Sequence, residues 1–264
     1  MLIESTVHFP VSFAMLDSVI KTPSADELVH LLVRWLHFVA GITWIGMLYF
    51  FNLVNVPLQK KLDADTKKKV NPDLLLPALW FFRWGALVTV LAGLMYFAMY
   101  ILKSDVSNAN NSGAGLNVWV VLLEWLSYPI VLFLVEFLII KKVPALIKDG
   151  RVFAIVMLIL VGVVTWGIVK FFSAKLLVAG LPSPNRTFSI GVGGAYGLLM
   201  LLNVWGIIWP ANKRIIGALQ GGPPAAPELA RQAFIASRTN AWLSLPMLVF
   251  MAASSHDWLI FSGK

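Results

Sequence analysis

Along the chain, apolar residues run in blocks of twenty or more, broken by short polar, basic or Gly/Pro-rich segments. Blocks of that length match the thickness of a hydrocarbon core crossed by a helix, about 20 residues at 1.5 Å each. The pattern predicts six spans, at about 28–56, 75–102, 116–140, 152–172, 187–210 and 239–260. "SADE" (24–27) reads as a capping box, so the first helix should start at the membrane edge and run long and tilted. "SDVSNANNSGAG" (104–115) reads as a flexible polar loop, and "QGGPPAAPELARQ" (220–232) as a linker leading into a short helix. Pro246 should kink the last span. The expected fold class is therefore all-α: a polytopic transmembrane helical bundle. Its domains are an interfacial N-terminal segment, 1–23, and one bundle domain, 24–264.

Charge sets the expected orientation. Loops 57–74, 141–151 and 211–236 carry twelve Lys and Arg, against five for the remaining loops and tails. The positive-inside rule then puts both termini outside, in the periplasm if the membrane is a bacterial inner membrane. The +8 formal charge is explained by that bias and needs no nucleic-acid partner. Residues 1–23 lack the basic start and cleavage site of a secretory signal. Only 13% of residues are charged and 59% are hydrophobic, which excludes an ordinary soluble domain.

Composition also limits the chemistry. With no cysteine, disulfides, thiolate metal sites and covalently attached haem are excluded within this sequence. Imidazole ligation must draw on His8, His30, His37 and His256, and His8 reads as a surface residue.

Ionisable groups inside a membrane are costly and point to function. On the first span His30, Arg34, His37, Gly41 and Trp44 fall on one helical stripe in the outer half of the bilayer. Glu124, Tyr128, Trp166, Lys170, Gly191, Gly194, Gly197, His256 and Asp257 are expected at the same level. Arg83, Glu136, Asn203, Arg238 and Asn240 form an inner layer. The outer set offers what a b-type haem needs: His37 and His256 as iron ligands, and Arg34 or Lys170 for the propionates. His30 would sit beside a propionate, and Gly191 would face the ring. A plainer reading stands beside it. His37 would bond a neighbouring helix, Arg34 would snorkel to the headgroups or pair with Glu124, and the glycines would mark close packing. Glu136 is expected to be neutralised by Lys141.

"RWLHFVAGITWIGMLYFFN" (34–52), "NVWGIIWPANKR" (203–214) and "SRTNAWLSLPMLVFMAASSH" (237–256) resemble the membrane domain of the bacterial cytochrome-c-linked urate hydroxylases. "LWFFRWGALVTVLAG" (79–93) is a weaker match, and the similarity runs in order from about 24 to 260. The resemblance implies a multi-span bundle with a periplasmic carboxy terminus, in many members followed by a c-type cytochrome that takes electrons from urate oxidation. It maps the histidine of "RWLH" to His37 and the histidine of "SSH" to His256. Departures are marked too: the family pattern has histidines where this chain has Trp80, Gly191 and Thr239, and a glutamate at Gly85. No cytochrome c domain appears up to Lys264. Three functions follow as expectations. One is electron transfer through a b-type haem, partnered by a periplasmic c-type cytochrome. Another is a non-catalytic subunit of a larger respiratory or photosynthetic membrane complex. The third is urate oxidation with a separate cytochrome c.

Overall fold

A computed structural model describes residues 22–255 and 260–261, and these are helical apart from short turns and connectors. Helix α1, Ala25–Tyr49, continues through a π-helical segment, Phe50–Asn55, into α2, Val56–Lys61. Helix α3, Ala64–Tyr96, passes through a second π-helical segment, Phe97–Leu102, into α4, Lys103–Asn111. Then come α5 (Val118–Lys142), the short α6 (Pro144–Lys148) and α7 (Gly150–Leu176). Helix α8, Asn185–Asn203, runs through a third π-helical segment, Val204–Ile208, into α9, Trp209–Leu219. Helix α10, Glu228–Ala253, closes the bundle.

Local chemistry explains the starts. Ser24 accepts from the Glu27 amide at 3.3 Å, while the Glu27 carboxylate accepts from the Ser24 amide at 2.8 Å, completing the capping box. Asp63, Asn117 and Asp149 cap α3, α5 and α7 with their side chains alone, accepting from backbone amides of the first turn. From Ala25 to Lys61 the first helix is 37 residues long. That is about 55 Å, well beyond the roughly 30 Å of hydrocarbon, so it must tilt.

Among the described residues, five helices are long and apolar enough to cross a membrane: Ala25–Lys61, Ala64–Asn111, Val118–Lys142, Gly150–Leu176 and Asn185–Leu219. They contain five of the six predicted spans and make this a multi-pass membrane protein. The sixth span corresponds to α10, 26 residues long with Pro246 inside it. Its apolar character is diluted by Arg231 and Arg238 and by the buried Gln232, Asn240 and Ser244, whose surroundings are protein. The segment 1–21, with His8, and residues 256–259, with His256, lie outside the described residues.

One local expectation fails. Residues 104–111 are helix, and the connector shrinks to the stretch before Val118. Val106 and Ala109 are buried three residues apart on that helix. Asn110 then closes the turn, accepting from the Leu116 amide at 2.6 Å and donating to its carbonyl at 2.8 Å. The Ser/Asn-rich composition hid a helix stabilised by tertiary burial.

Helix α8 is the hub, with most of its side chains buried between α5, α7, α10 and α3. Helix α1 lies at the edge. One face packs on α3, and the other exposes Leu31, Leu32, Trp35, Phe38 and Ile42. Such a face suits hydrocarbon tails, not water.

Candidate functional site

The α1–α3 seam is built on small residues. Gly85, Thr89 and Gly93 recur every fourth residue and present one face of α3. A Cβ on Gly85 would lie 3.3 Å from both the Ala40 carbonyl oxygen and the Trp44 amide nitrogen. The helices therefore meet backbone to backbone at this point. Into this seam α1 turns Trp44, which is fully buried, with His37 and Gly41 half-buried above it.

The His37 imidazole meets Gly93 with its Cε1–Nδ1 side, since an added Cβ would approach Cε1 to 2.8 Å and Nδ1 to 2.9 Å. Its Nδ1 is 2.8 Å from the Thr89 carbonyl oxygen. A carbonyl only accepts, so the proton must be on Nδ1. In the neutral ring the lone pair is then on Nε2, and no described residue hydrogen-bonds to that nitrogen. Histidines that bind metals are commonly fixed this way, one nitrogen donating to a carbonyl and the other left to ligate. The seam thus fits the axial-ligand role expected of His37.

The other expected haem residues are distributed more widely. His30 shares a 2.8 Å hydrogen bond with the Tyr96 hydroxyl through Nε2, and stacks at 5.0 Å on Tyr96 and 4.3 Å on Tyr100. Arg34 is exposed at the edge of the stripe, its guanidinium 6.0 Å from the Phe38 ring centre. It does not pair with Glu124, which instead binds Lys175 at 2.7 Å. Lys170 is exposed on α7, above Trp166 at 5.9 Å. Against Gly191 lies the ring of Phe172, and the Gly191 carbonyl accepts from Trp125 Nε1 at 2.9 Å. Among the described residues, no three His, Asp or Glu side chains come together as a metal site.

The inner layer is a connected network. Glu136 on α5 is fully buried and accepts from Asn203 at 3.0 Å. The same Asn203 amide donates to Asn240 at 3.0 Å, and Asn240 donates to the Met200 carbonyl at 2.9 Å. Lys141 is turned away, donating to Gln232 at 2.6 Å, so it does not neutralise Glu136 as expected. Nearby on α10, Ser237 accepts from Asn52 at 2.9 Å and Ser244 bonds the Tyr49 hydroxyl at 3.0 Å. Arg83 is stacked at 3.8 Å over Trp209, while its carbonyl accepts from Trp205. The sequence singled out these residues as a layer but not their partners. The signal that could have found them was asparagine in mid-span, where an amide must find a partner across helices.

Residues 23–71 and 64–264 match the family described as Urate oxidase N-terminal. The chain belongs to the urate oxidase N-terminal family. No curated protein and no solved structure matches it. Membership agrees with the resemblance carried by the His37, Asn203 and Ser237 segments, and makes this a urate-hydroxylase-like membrane protein. The positions marked in the sequence as departures from the resemblance take ordinary structural roles here. Gly85 is pressed on the α1 backbone, Gly191 on Phe172, and Thr239 donates to the Ile235 carbonyl at 3.1 Å. Trp80 is half-exposed, edge-on to Phe81 at 5.0 Å. A glutamate at position 85 would have no room without separating α1 from α3.

Proposed function

We propose that this urate oxidase family protein transfers electrons in the bacterial inner membrane, with His37 as an axial ligand of a b-type haem in the outer half of the bilayer. The supporting observation is the 2.8 Å bond from His37 Nδ1 to the Thr89 carbonyl, which leaves Nε2 as the basic nitrogen. When bound, such a haem supplies a one-electron couple. Thr89 and Gly93 fix the tautomer and the plane of the imidazole. Arg34, exposed one turn from His37, is placed to meet a carboxylate at headgroup level, and Lys170 offers a second cation on α7. His256, outside the described residues, would be the second candidate to hold the iron. On this reading the basic end of the bundle is cytoplasmic, both termini are periplasmic, and a periplasmic c-type cytochrome is the partner. The test is stopped-flow mixing of the dithionite-reduced protein, desalted, with an oxidised c-type cytochrome. Cytochrome reduction that is lost in His37→Ala supports the reading; equal rates for both proteins oppose it.

A second reading is a non-catalytic subunit of a larger membrane complex. It is favoured by the packing of Phe172 against Gly191, where a cofactor ring was expected. If so, His37→Ala would assemble with its complex and leave its turnover unchanged.

A further inference from the structure

Two buried oxygens in the inner layer have no donor. Oε1 of Glu136 and Oδ1 of Asn203 are shielded from solvent and make no hydrogen bond among the described residues. Both side chains are fully buried. The other polar atoms of these two side chains are engaged, since Asn203 Nδ2 donates to Glu136 Oε2 and to Asn240 Oδ1, each at 3.0 Å; elsewhere in the layer, Arg83 Nε is also buried without a hydrogen-bond partner. Orphaned acceptors on adjoining side chains are costly, and an unpaired buried carboxylate more so. What the cluster lacks is one hydrogen.

Among the described residues, no cation supplies it. On α5 itself, Glu124 is paired with Lys175, Lys141 is bonded to Gln232, and Lys142 lies at the helix end. On α10, Arg231 donates to the Ile147 and Lys148 carbonyls, Arg238 lies 5.3 Å from the Phe234 ring, and Glu228 is in the first turn. On α7, Arg151, Lys170 and Lys175 lie toward the ends, and Lys148 closes α6. On α3, Arg83 is stacked on Trp209, and on α9 Lys213 and Arg214 follow it. From Thr187 to Ile208, α8 and its π-helical extension carry no charge, and neither does the segment Phe97–Leu102.

We propose that Glu136 is a proton-binding site within the membrane. One O–H bond forms at Oε1 as one O–H bond of a hydronium ion breaks and leaves water, no electron moves, and the new donor serves Asn203 Oδ1 directly or through one water. A proton fits better than a metal ion, because a sodium-sized cation wants about six oxygen ligands and the Glu136–Asn203 pair leaves two oxygens free. Asn203 is also the last α-helical residue before the π-helical turn Val204–Ile208. Such insertions frequently mark functional positions in helices. The site is independent of the haem reading and needs no haem for its detection.

The experiment is infrared spectroscopy of the full chain in lipid nanodiscs at neutral pH. The expected result is a protonated-carboxyl carbonyl band that shifts down in heavy water and upon 13C-glutamate labelling, and disappears in Glu136→Gln. The amide introduced by that substitution keeps the shape of the side chain and supplies the missing donor. If the variant does not fold, the labelled wild-type band still identifies a protonated glutamate. Absence of a glutamate-derived band overturns the proposal, as does its persistence in Glu136→Gln. Thermal stabilisation by sodium, with no such band, would instead identify a cation site and also overturn it.

Discussion

His37 and Thr89 are joined across the first two spans by a 2.8 Å hydrogen bond that determines which imidazole nitrogen is left to act as a base. The bond forms because Gly93, one turn beyond Thr89, lets the ring lie on the α3 backbone. Position and tautomer of the proposed ligand are therefore both set by the helix seam.

Glycine substitutions along that seam should separate its tight contacts from its ordinary ones. Gly93→Ala drives a methyl to 2.8 Å from His37 Cε1, so the ring must move. A loss of about 1–3 kcal/mol and a displaced His37 are expected. Gly41→Ala meets only Thr89, with Cγ2 nearest at 3.5 Å, and should be neutral or stabilising by up to about 1 kcal/mol. Thermal unfolding of the two variants in one detergent checks the contrast.

Gly191 and Phe172 should behave as a coupled pair. The Gly191 Cβ position is taken up by the Phe172 ring, so Gly191→Ala alone should lose about 1–3 kcal/mol. Phe172→Leu should recover part of that loss in the double variant, giving a non-zero coupling energy in a double-mutant cycle. Additive losses would show that the two do not share the space.

Much of the bundle could be read from the sequence, because what sets it is local. Long apolar runs gave the spans, and Ser24 with Glu27 gave the start of α1. Partners across helices were not legible. Glu136 and Lys141 are close in the chain, but five residues turn them about 140° apart on a helix, and each finds its partner elsewhere. Arg34 was offered to Glu124, yet Lys175, in the last turn of α7, pairs with that carboxylate. Gly191 read equally as a slot for a cofactor ring or for a side chain, and only the approach of α7 shows that Phe172 lies there. At 103–111 the composition suggested a loop, whereas burial of Val106 and Ala109 makes a helix.

Asn240→Ala should be the costliest single change in the inner layer apart from Glu136. It removes the donor to Met200 and the acceptor for Asn203, both buried. Leaving them unsatisfied costs about 1–3 kcal/mol, visible as a lower unfolding midpoint. Asn52→Ala would be a useful comparison, since it frees the Ser237 hydroxyl at the edge of the same network.

At the polar start of α3, acid should loosen the helix. The Thr66 amide and hydroxyl, each 2.8 Å from the Asp63 carboxylate, hold its pKa below the ordinary value. A depressed carboxylate contributes stability above its unfolded value and loses that contribution as pH falls through the folded one. The protection of the Thr66 and Lys67 amides, measured as exchange relative to the intrinsic rate at each pH, should therefore fall on acidification. In Asp63→Ala it should be low at every pH.

The most direct test of the central claim is the reduced-minus-oxidised absorption spectrum of protein purified after growth with added haem precursor, wild type beside His37→Ala. Haem coordinated through His37 Nε2 gives a b-type difference spectrum in the wild type that is abolished or strongly shifted in the variant. A wild-type protein without haem absorbance, or a variant with an unaltered spectrum, would contradict it.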